Sequence, residues 1–272
     1  MTTPPTTTSS RPRDPAFAQA LAFERLTRSA ICRVEPIPGG LLFSDPELNL
    51  VWNRNRLWIN DAADASFAGL VALAREHQAP QDLYHRAIAV LDEEDWQRLS
   101  PAFDLAGWYR DVELVMAYTG PATLPAPSVP VQEPTVSAIQ AAITAYVTSE
   151  PWGKDPESAE QVLRHNLESG SGVEDRWFAV HEADEVVAYC RLWHHEGVAQ
   201  VEDVVVLEPW RRRGYGRAVV TAATQAGLDL DPDLLFIVAD DEDWPKDLYA
   251  SLGYAPVGRT ALFRQMPVPE GG

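Results

Sequence analysis

Apolar residues in the second half of the chain recur with helical spacing in two segments and then alternate as in strands. The helical segments are Ser137–Val147 and Ser158–Gly170, and Ser158 is the expected N-cap of the second. The alternating, β-branched segments Arg176–Glu182 and Glu185–His195 follow, separated by two residues. They predict an antiparallel hairpin.

The rest of this half continues the alternation of strands and helices. The predicted elements are a strand at Val198–Glu208, a helix at Arg217–Ala226, a strand at Leu234–Asp240, a helix at Pro245–Leu252 and a strand within Val257–Gln265. The order is therefore α-α-β-β-β-α-β-α-β.

A similar pattern occurs twice in the chain. Ala89–Ala117 and Ile237–Gln265 each contain an apolar strand, an acidic cluster with a tryptophan, an amphipathic helix, a glycine-aromatic pair and another strand. Similarity of this kind predicts tandem copies of one fold, and chance is the alternative. The copies differ four residues before the glycine-aromatic pair, where the second has Tyr249 and the first has Phe103.

A proline-rich stretch divides the two copies. Residues 119–135 contain five prolines and no charge before Glu133, which is typical of a semi-rigid linker. We therefore predict a flexible N-terminus (1–15), a first domain (16–118), the linker (119–135) and a second domain (136–268).

The composition restricts the class of partner. The formal net charge of -18 argues against nucleic-acid binding, which depends on a basic surface, and suits a cationic or amine-bearing partner. No apolar run approaches membrane-spanning length, and the N-terminal residues have no apolar segment typical of a secretory signal. We therefore expect a cytoplasmic protein without a membrane partner, in which Cys32 and Cys190 stay reduced.

Against this acidic background, the segment Arg211-Arg212-Arg213-Gly214-Tyr215-Gly216 concentrates positive charge between a strand and a helix. The first backbone N–H groups of a helix lack intrahelical partners, and glycines let a phosphate approach them closely. The arginines add charge-assisted hydrogen bonds. The segment therefore predicts a site for a phosphate or pyrophosphate, and a glycine turn with solvated arginines is the alternative.

Other motifs fit less well. No Lys-Ser/Thr follows the loop, as a Walker A motif requires, and the preceding hairpin is unlike a dinucleotide-binding unit. His194 and His195 are adjacent on a strand and therefore face opposite ways, so we expect no metal site there.

The pattern R-x-x-G-x-G after the strand VEDVVV, followed by Tyr249 and the Gly253-Tyr254 pair, resembles the GNAT superfamily of acyl-CoA N-acyltransferases. The resemblance covers about Arg176–Gln265. It implies an α/β (α+β) fold with a mixed, mostly antiparallel sheet flanked by helices. Together with the repeat, it implies two tandem GNAT-like copies, of which the first is degenerate.

The resemblance also implies a site for acetyl-CoA. The expected cofactor-binding residues are Val204, Val205, Val206, Arg211, Arg212, Arg213, Gly214, Gly216 and Arg217. Glu202 is the expected general base and Tyr249 the expected acid for the departing thiolate, while Asp203 should face away from Glu202 by strand alternation. The family often has an asparagine after the fifth strand, but here Asp240–Trp244 reads DDEDW, and Asp243 is expected to cap the next helix.

These features favour an acetyl-CoA-dependent N-acetyltransferase acting on a primary amine of a small molecule or a protein. Trp152, in the loop between the first two helices, is a candidate acceptor contact. A non-catalytic acyl-CoA-binding or scaffolding protein is the alternative, and a longer acyl donor or a homodimer is left open.

Overall fold

The computed structural model describes residues 13–79, 83 and 85–266. Residues 1–12 of the predicted N-terminal segment and the end of the predicted second domain, after Met266, lie outside them. Below, the N-terminal half means the described residues up to 118, and the C-terminal half means 136–266.

Both halves alternate helices with strands. The helices are α1 (Pro15–Ile31), α2 (Phe67–Gln78), α3 (Glu93–Leu105), α4 (Val136–Ser149), α5 (Pro156–Glu168), α6 (Tyr215–Leu228) and α7 (Pro245–Ser251). The strands are β1 (Arg33–Ile37), β2 (Gly40–Ser44), β3 (Arg56–Ile59), β4 (Arg86–Val90), β5 (Tyr109–Tyr118), β6 (Glu174–Glu182), β7 (Glu185–His195), β8 (Val198–Val206), β9 (Leu234–Asp240) and β10 (Tyr254–Gln265). The predicted order of elements in the C-terminal half is confirmed.

All ten of these strands form one mixed, mostly antiparallel sheet in the order β1-β2-β3-β4-β10-β5-β9-β8-β7-β6. Within it, only β3–β4 and β8–β9 pair in parallel. The strand order is symmetric. If β1 to β5 are exchanged one by one with β6 to β10, the same order is obtained when the sheet is read from its opposite edge. At the centre, β10 inserts between β4 and β5, and β5 inserts between β10 and β9. Each half therefore completes the sheet of the other.

Helices cover both faces of the sheet because the strands alternate apolar side chains. On one face α2 and α3 pack over the N-terminal strands, and α6 and α7 pack over the C-terminal strands. On the other face α1 packs across the centre, and α4 and α5 pack on β6 and β7. Thus α1, from the N-terminal half, lies against β8 and β9 of the C-terminal half.

Several predicted boundaries are wrong by one to three residues; β8 ends at Val206 and not at Glu208, and α6 already begins at Tyr215. Two of the differences have a clear physical reason. The N-cap of α5 is Asp155, whose Oδ2 accepts the Ser158 N–H at 2.8 Å, so Ser158 lies inside the first turn. Pro156 takes the first helical position, where its missing N–H costs no hydrogen bond. The last strand starts at Tyr254, before the predicted Val257, because its first residues pair with the end of β5.

The proline-rich stretch packs against the C-terminal half. Val129 and Val131 contact the core beneath α6, and Gln132 forms a β-bridge with Ala179. The Leu124 N–H donates to Oε1 of Gln225 on α6 at 2.9 Å.

Phe103 is fully buried in the N-terminal half and stacks on Phe263, with ring centroids 4.0 Å apart. Phe67 and Trp108 meet its ring edge-on. The residue that matches Tyr249 in the repeat is therefore a packing residue.

Candidate functional site: a cleft where two parallel strands separate

Two neighbouring strands separate at the centre of the C-terminal half. β8 and β9 pair only from Val198 to Val201, although β8 continues to Val206. The edge of β8 that faces β9 is therefore open beyond Val201. An open edge offers backbone hydrogen-bonding groups to an added strand or an extended ligand.

The backbone of Val206 points into this opening. The Leu207 N–H donates to the Val187 carbonyl on β7 at 3.0 Å. Because consecutive N–H groups of a strand point to opposite edges, the Val206 N–H points toward the opening. The Val206 carbonyl accepts from Nε of Arg211 at 3.2 Å, which fixes the following loop over the end of the strand.

The glycine-rich loop places the N-terminus of α6 beside the same opening. The first intrahelical bond runs from the Ala218 N–H to the Gly214 carbonyl, so the N–H groups of residues 215–217 have no intrahelical partner. No side chain caps this helix. Gly214 and Arg212 have φ angles of 84° and 64°, and these left-handed residues shape the turn. Uncapped N–H groups at a helix N-terminus are suited to an anion.

The four arginines of this region have different environments. Arg212 makes no hydrogen bond or ion pair with a described residue, whereas Arg217 donates to Oγ of Ser251 at 2.7 Å. The Arg213 guanidinium lies over the Trp210 ring, 4.7 Å from its centroid. Arg213 is thus engaged by an aromatic ring.

A cleft of about 890 Å³ fills the space between the separated strands, the loop and α7. All the sequence-predicted cofactor residues except Arg213 line it: Val204, Val205, Val206, Arg211, Arg212, Gly214, Gly216 and Arg217. A Cβ on Gly216 would already contact Cγ2 of Val206 at 3.4 Å. A longer side chain there would enter the cleft.

Tyr249 reaches the cleft from α7 and is 5% exposed. Its hydroxyl makes no hydrogen bond with a described residue. Burial raises the pKa of Tyr249 well above its ordinary value, and the Glu202 carboxylate adds to this. The hydroxyl therefore keeps its proton and can act as a donor.

A β-bulge sits where β8 begins to diverge. Arg191 pairs with Glu202 and Tyr189 pairs with Val205, so two residues of β8 lie opposite Cys190. Asp203, in the bulge, has a φ of 51°. The prediction that Asp203 faces away from Glu202 is wrong, because the bulge interrupts the alternation and both residues line one small cavity.

Glu202 has no hydrogen bond or ion pair with another described residue. Burial, together with the nearby carboxylates of Asp203 and Glu24, raises its pKa to about 8, although Arg191 and Arg28 act in the opposite direction. Glu202 is the carboxyl of this region whose charge is least compensated.

Arg191 holds Asp203 in place. Its guanidinium lies between the rings of Trp177 and Trp193, 4.6 Å from each centroid. It forms ion pairs with Asp203 at 2.8 Å and with Asp175 at 3.3 Å. Asp203 is thus paired while Glu202 is not, which distinguishes the two neighbouring carboxyls.

Sequence reasoning missed Tyr146 of α4, which lines the cleft. Trp152, the candidate acceptor contact, packs edge-on against Tyr146 with ring centroids 6.2 Å apart. Trp152 itself lines neither the cleft nor the small cavity.

The expected cap of α7 is also corrected. The N-cap position is Trp244, and no side chain caps the helix. Oδ1 of Asp243 accepts from the adjacent Trp244 N–H instead, and both residues line the cleft.

Two kinds of feature are absent from the described residues. No group of three or more His, Cys, Asp or Glu side chains could hold a metal ion. Among the described helices, none is long and apolar enough to span a membrane.

Comparison with known proteins identifies the C-terminal half. Residues 139–254 match the model of the acetyltransferase (GNAT) family. This segment is therefore a GNAT acetyltransferase domain, whose fold supports acyl transfer. A search of curated proteins found no match.

Solved structures share the fold over nearly the whole chain. A functionally unknown conserved protein from Staphylococcus epidermidis is 15% identical, with a TM-score of 0.67, and the alignment covers 90% of this chain and all of that one. A GCN5-related N-acetyltransferase from Kribbella flavida is 18% identical, with a TM-score of 0.59, over 93% of this chain and 96% of that one. At these identities the likeness concerns the fold alone.

Proposed function

We propose that the C-terminal half transfers the acetyl group of acetyl-CoA to a primary amine. The observation that carries the proposal is the open edge of β8 beside the uncapped N-terminus of α6. The helix N-terminus and Arg212 suit the pyrophosphate of coenzyme A. The backbone of Val204–Val206 suits the amide groups of an extended pantetheine arm, which would pair with β8 as an added strand.

The chemistry is direct attack of the amine on the thioester. The amine nitrogen bonds to the carbonyl carbon, the carbon–sulfur bond breaks, and the sulfur leaves as a thiolate. In this proposal the Val206 N–H stabilises the negative charge that develops on the carbonyl oxygen.

Glu202 is the proposed general base. An amine with a pKa of about 10.4 is protonated at pH 7, and removing its proton costs roughly 4.6 kcal/mol. A carboxylate with a pKa raised to about 8 accepts that proton more readily than an ordinary glutamate. The proton passes from Glu202 to solvent after the transfer.

Tyr249 is the proposed acid for the thiolate. It lines the cleft from the side opposite the sheet, and its raised pKa keeps it protonated at neutral pH. A non-catalytic acyl-CoA-binding protein would need neither Tyr249 nor an uncompensated Glu202. The presence of both favours the enzyme.

We infer that the N-terminal half is a degenerate copy of the same fold. The symmetric strand order and the repeat support a duplication. The buried Phe103 replaces the proposed acid in that half. The predicted domain boundaries remain a proposal, since each half inserts a strand into the other.

The proposal is tested by thermal unfolding with and without acetyl-CoA, on the wild type and on Gly216→Glu. Acetyl-CoA at 100 times its Kd should stabilise the wild type by about 2.7 kcal/mol. The variant should lose this shift, because the new carboxylate enters the cleft at the anion site. S-acetylpantetheine, which lacks the pyrophosphate, is the matched ligand control. Its affinities for the wild type and for Gly216→Glu should differ less than those of acetyl-CoA.

Absence of a shift in the wild type would refute the cofactor site. A shift without release of free thiol, on mixing with a panel of amines, would favour the non-catalytic alternative.

A further inference from the structure

A small cavity lies next to Glu202, on the face of the sheet covered by α1 and α5. It encloses about 90 Å³. A single water needs about 10–15 Å³ on this measure, so the cavity has room for a molecule of several non-hydrogen atoms. Both halves of the protein build its wall, Glu24 and Arg28 from α1, and Arg191, Gln200 and Glu202 from β7 and β8.

Polar atoms without partners point to a ligand in this cavity. Gln200 is 2% exposed, yet its Oε1 has no hydrogen-bond partner among the described residues. Nε of Arg28 and Nε of Arg191 are likewise buried without a partner there. Buried polar groups without partners are costly, so several around one cavity indicate that something polar satisfies them.

The charge balance indicates which kind of ligand fits. Arg191 is paired with Asp203 at 2.8 Å, and Arg28 lies 3.9 Å from Glu24. After these pairs are subtracted, Glu202 has no counter-charge among these groups once it is ionised. One small cation with N–H donors would balance Glu202 and satisfy Oε1 of Gln200. The Nε–H groups of Arg28 and Arg191 are donors, so an uncharged oxygen on the same small molecule, such as a hydroxyl, would accept from them. A ligand with its own carboxylate would meet three carboxyl groups, since both arginines are already engaged.

We propose that this cavity binds the acceptor, a compact primary amine that is cationic in solution, has few non-hydrogen atoms and carries no carboxylate. This inference rests on the proposed acyl transfer, because it assigns the substrate class of the same site. Glu202 lines the small cavity and not the cleft, but it follows directly on Val201, where β8 leaves β9, and precedes Val204 of the cleft wall by two residues. In this proposal an amine held at Glu202 approaches the end of the cleft where the two strands separate. Glu24 makes the N-terminal half part of the acceptor site.

The first test measures binding without acetyl-CoA. Ethanolamine is the cationic probe, and β-alanine is the probe of similar length with a carboxylate. Isothermal titration of the full chain at pH 8.5, where Glu202 is mostly ionised, should show that ethanolamine binds at least tenfold more tightly than β-alanine. Glu24→Gln and Gln200→Leu should each weaken the binding of ethanolamine about tenfold. Glu76→Gln, an exposed carboxyl on α2, is the matched control and should leave it unchanged.

The second test measures thiol release at saturating acetyl-CoA. Glu24→Gln should raise the KM for ethanolamine about tenfold, with the Kd of acetyl-CoA unchanged. Equal KM values in Glu24→Gln, Gln200→Leu and the wild type would overturn the acceptor site. So would turnover of a lysine-containing peptide in preference to ethanolamine. Neither result would contradict the proposed acyl transfer itself. Failure of acetyl-CoA to bind, in contrast, would refute the proposed function, and the ethanolamine titration would then still test binding to the cavity.

Discussion

Replacing Glu202 by glutamine should make the protein more stable at alkaline pH while lowering its activity. In the fold, burial and the neighbouring carboxylates raise the pKa of Glu202 from 4.5 to about 8. The folded state therefore holds this proton more tightly than the unfolded chain does. The contribution of Glu202 to stability is present at low pH and is lost as the pH rises from about 4.5 to about 8.

The magnitude follows from the linkage between protonation and folding. At about 1.4 kcal/mol per pKa unit, the raised pKa of Glu202 costs the fold about 2 kcal/mol at pH 6 and about 5 kcal/mol at pH 9. Glutamine occupies nearly the same volume and carries no charge. The free energy of unfolding of Glu202→Gln should therefore exceed that of the wild type by a margin that grows with pH.

The assay is urea unfolding of both proteins at pH 5, 6 and 9, followed by circular dichroism. Glu208→Gln, at an exposed carboxyl, is the control and should show a difference that does not change with pH. In parallel, the loss of the base should lower kcat for thiol release by about 100-fold, within the usual range for general-base catalysis. A difference in stability between Glu202→Gln and the wild type that is constant from pH 5 to pH 9 would refute the half-buried, uncompensated carboxyl.

Three further predictions concern the same site. Tyr249→Phe should lower kcat with little change in the Kd of acetyl-CoA, measured by thiol release and titration; equal turnover would remove Tyr249 from the mechanism. For the wild type, kcat/KM for the amine should rise with pH up to about 8, because Glu202 must be ionised to accept a proton, and this dependence should vanish in Glu202→Gln. Trp152→Ala distinguishes two acceptor locations: a raised amine KM in Trp152→Ala but not in Glu24→Gln would place the acceptor at the loop between α4 and α5.

Local patterns in the sequence predicted most elements of the C-terminal half. Alternation places Val201 in the core beneath α6, and the turn between β6 and β7 falls where the hairpin pattern ends. The glycine loop was recognisable because Gly214 and Gly216 precede an apolar helix. These features depend on residues close together in the chain, which is why the sequence reveals them.

The features that alternation cannot predict are non-local or depend on an unusual backbone. The insertion of β5 between β10 and β9 joins residues more than a hundred positions apart. Asp203 adopts a positive φ. Aspartate tolerates this conformation, but the presence of an aspartate in a strand does not predict it. Tyr146 reaches the cleft only because α4 packs across β7, and its sequence neighbours give no sign of it.

The bulge and the strand exchange together explain why Glu202 differs from an ordinary carboxyl on a strand. The bulge turns Asp203 to the same side as Glu202, where Arg191 pairs with Asp203 and leaves Glu202 unpaired. The exchange of strands brings α1 over the same region, so Glu24 adds a second carboxyl while α1 also excludes solvent. Each feature alone would raise the pKa of Glu202 less, since desolvation and like charge act on the same ionised form. A base tuned toward neutral pH in the C-terminal half therefore depends on a helix from the N-terminal half, which gives that half a role in the proposed chemistry without a catalytic residue of its own.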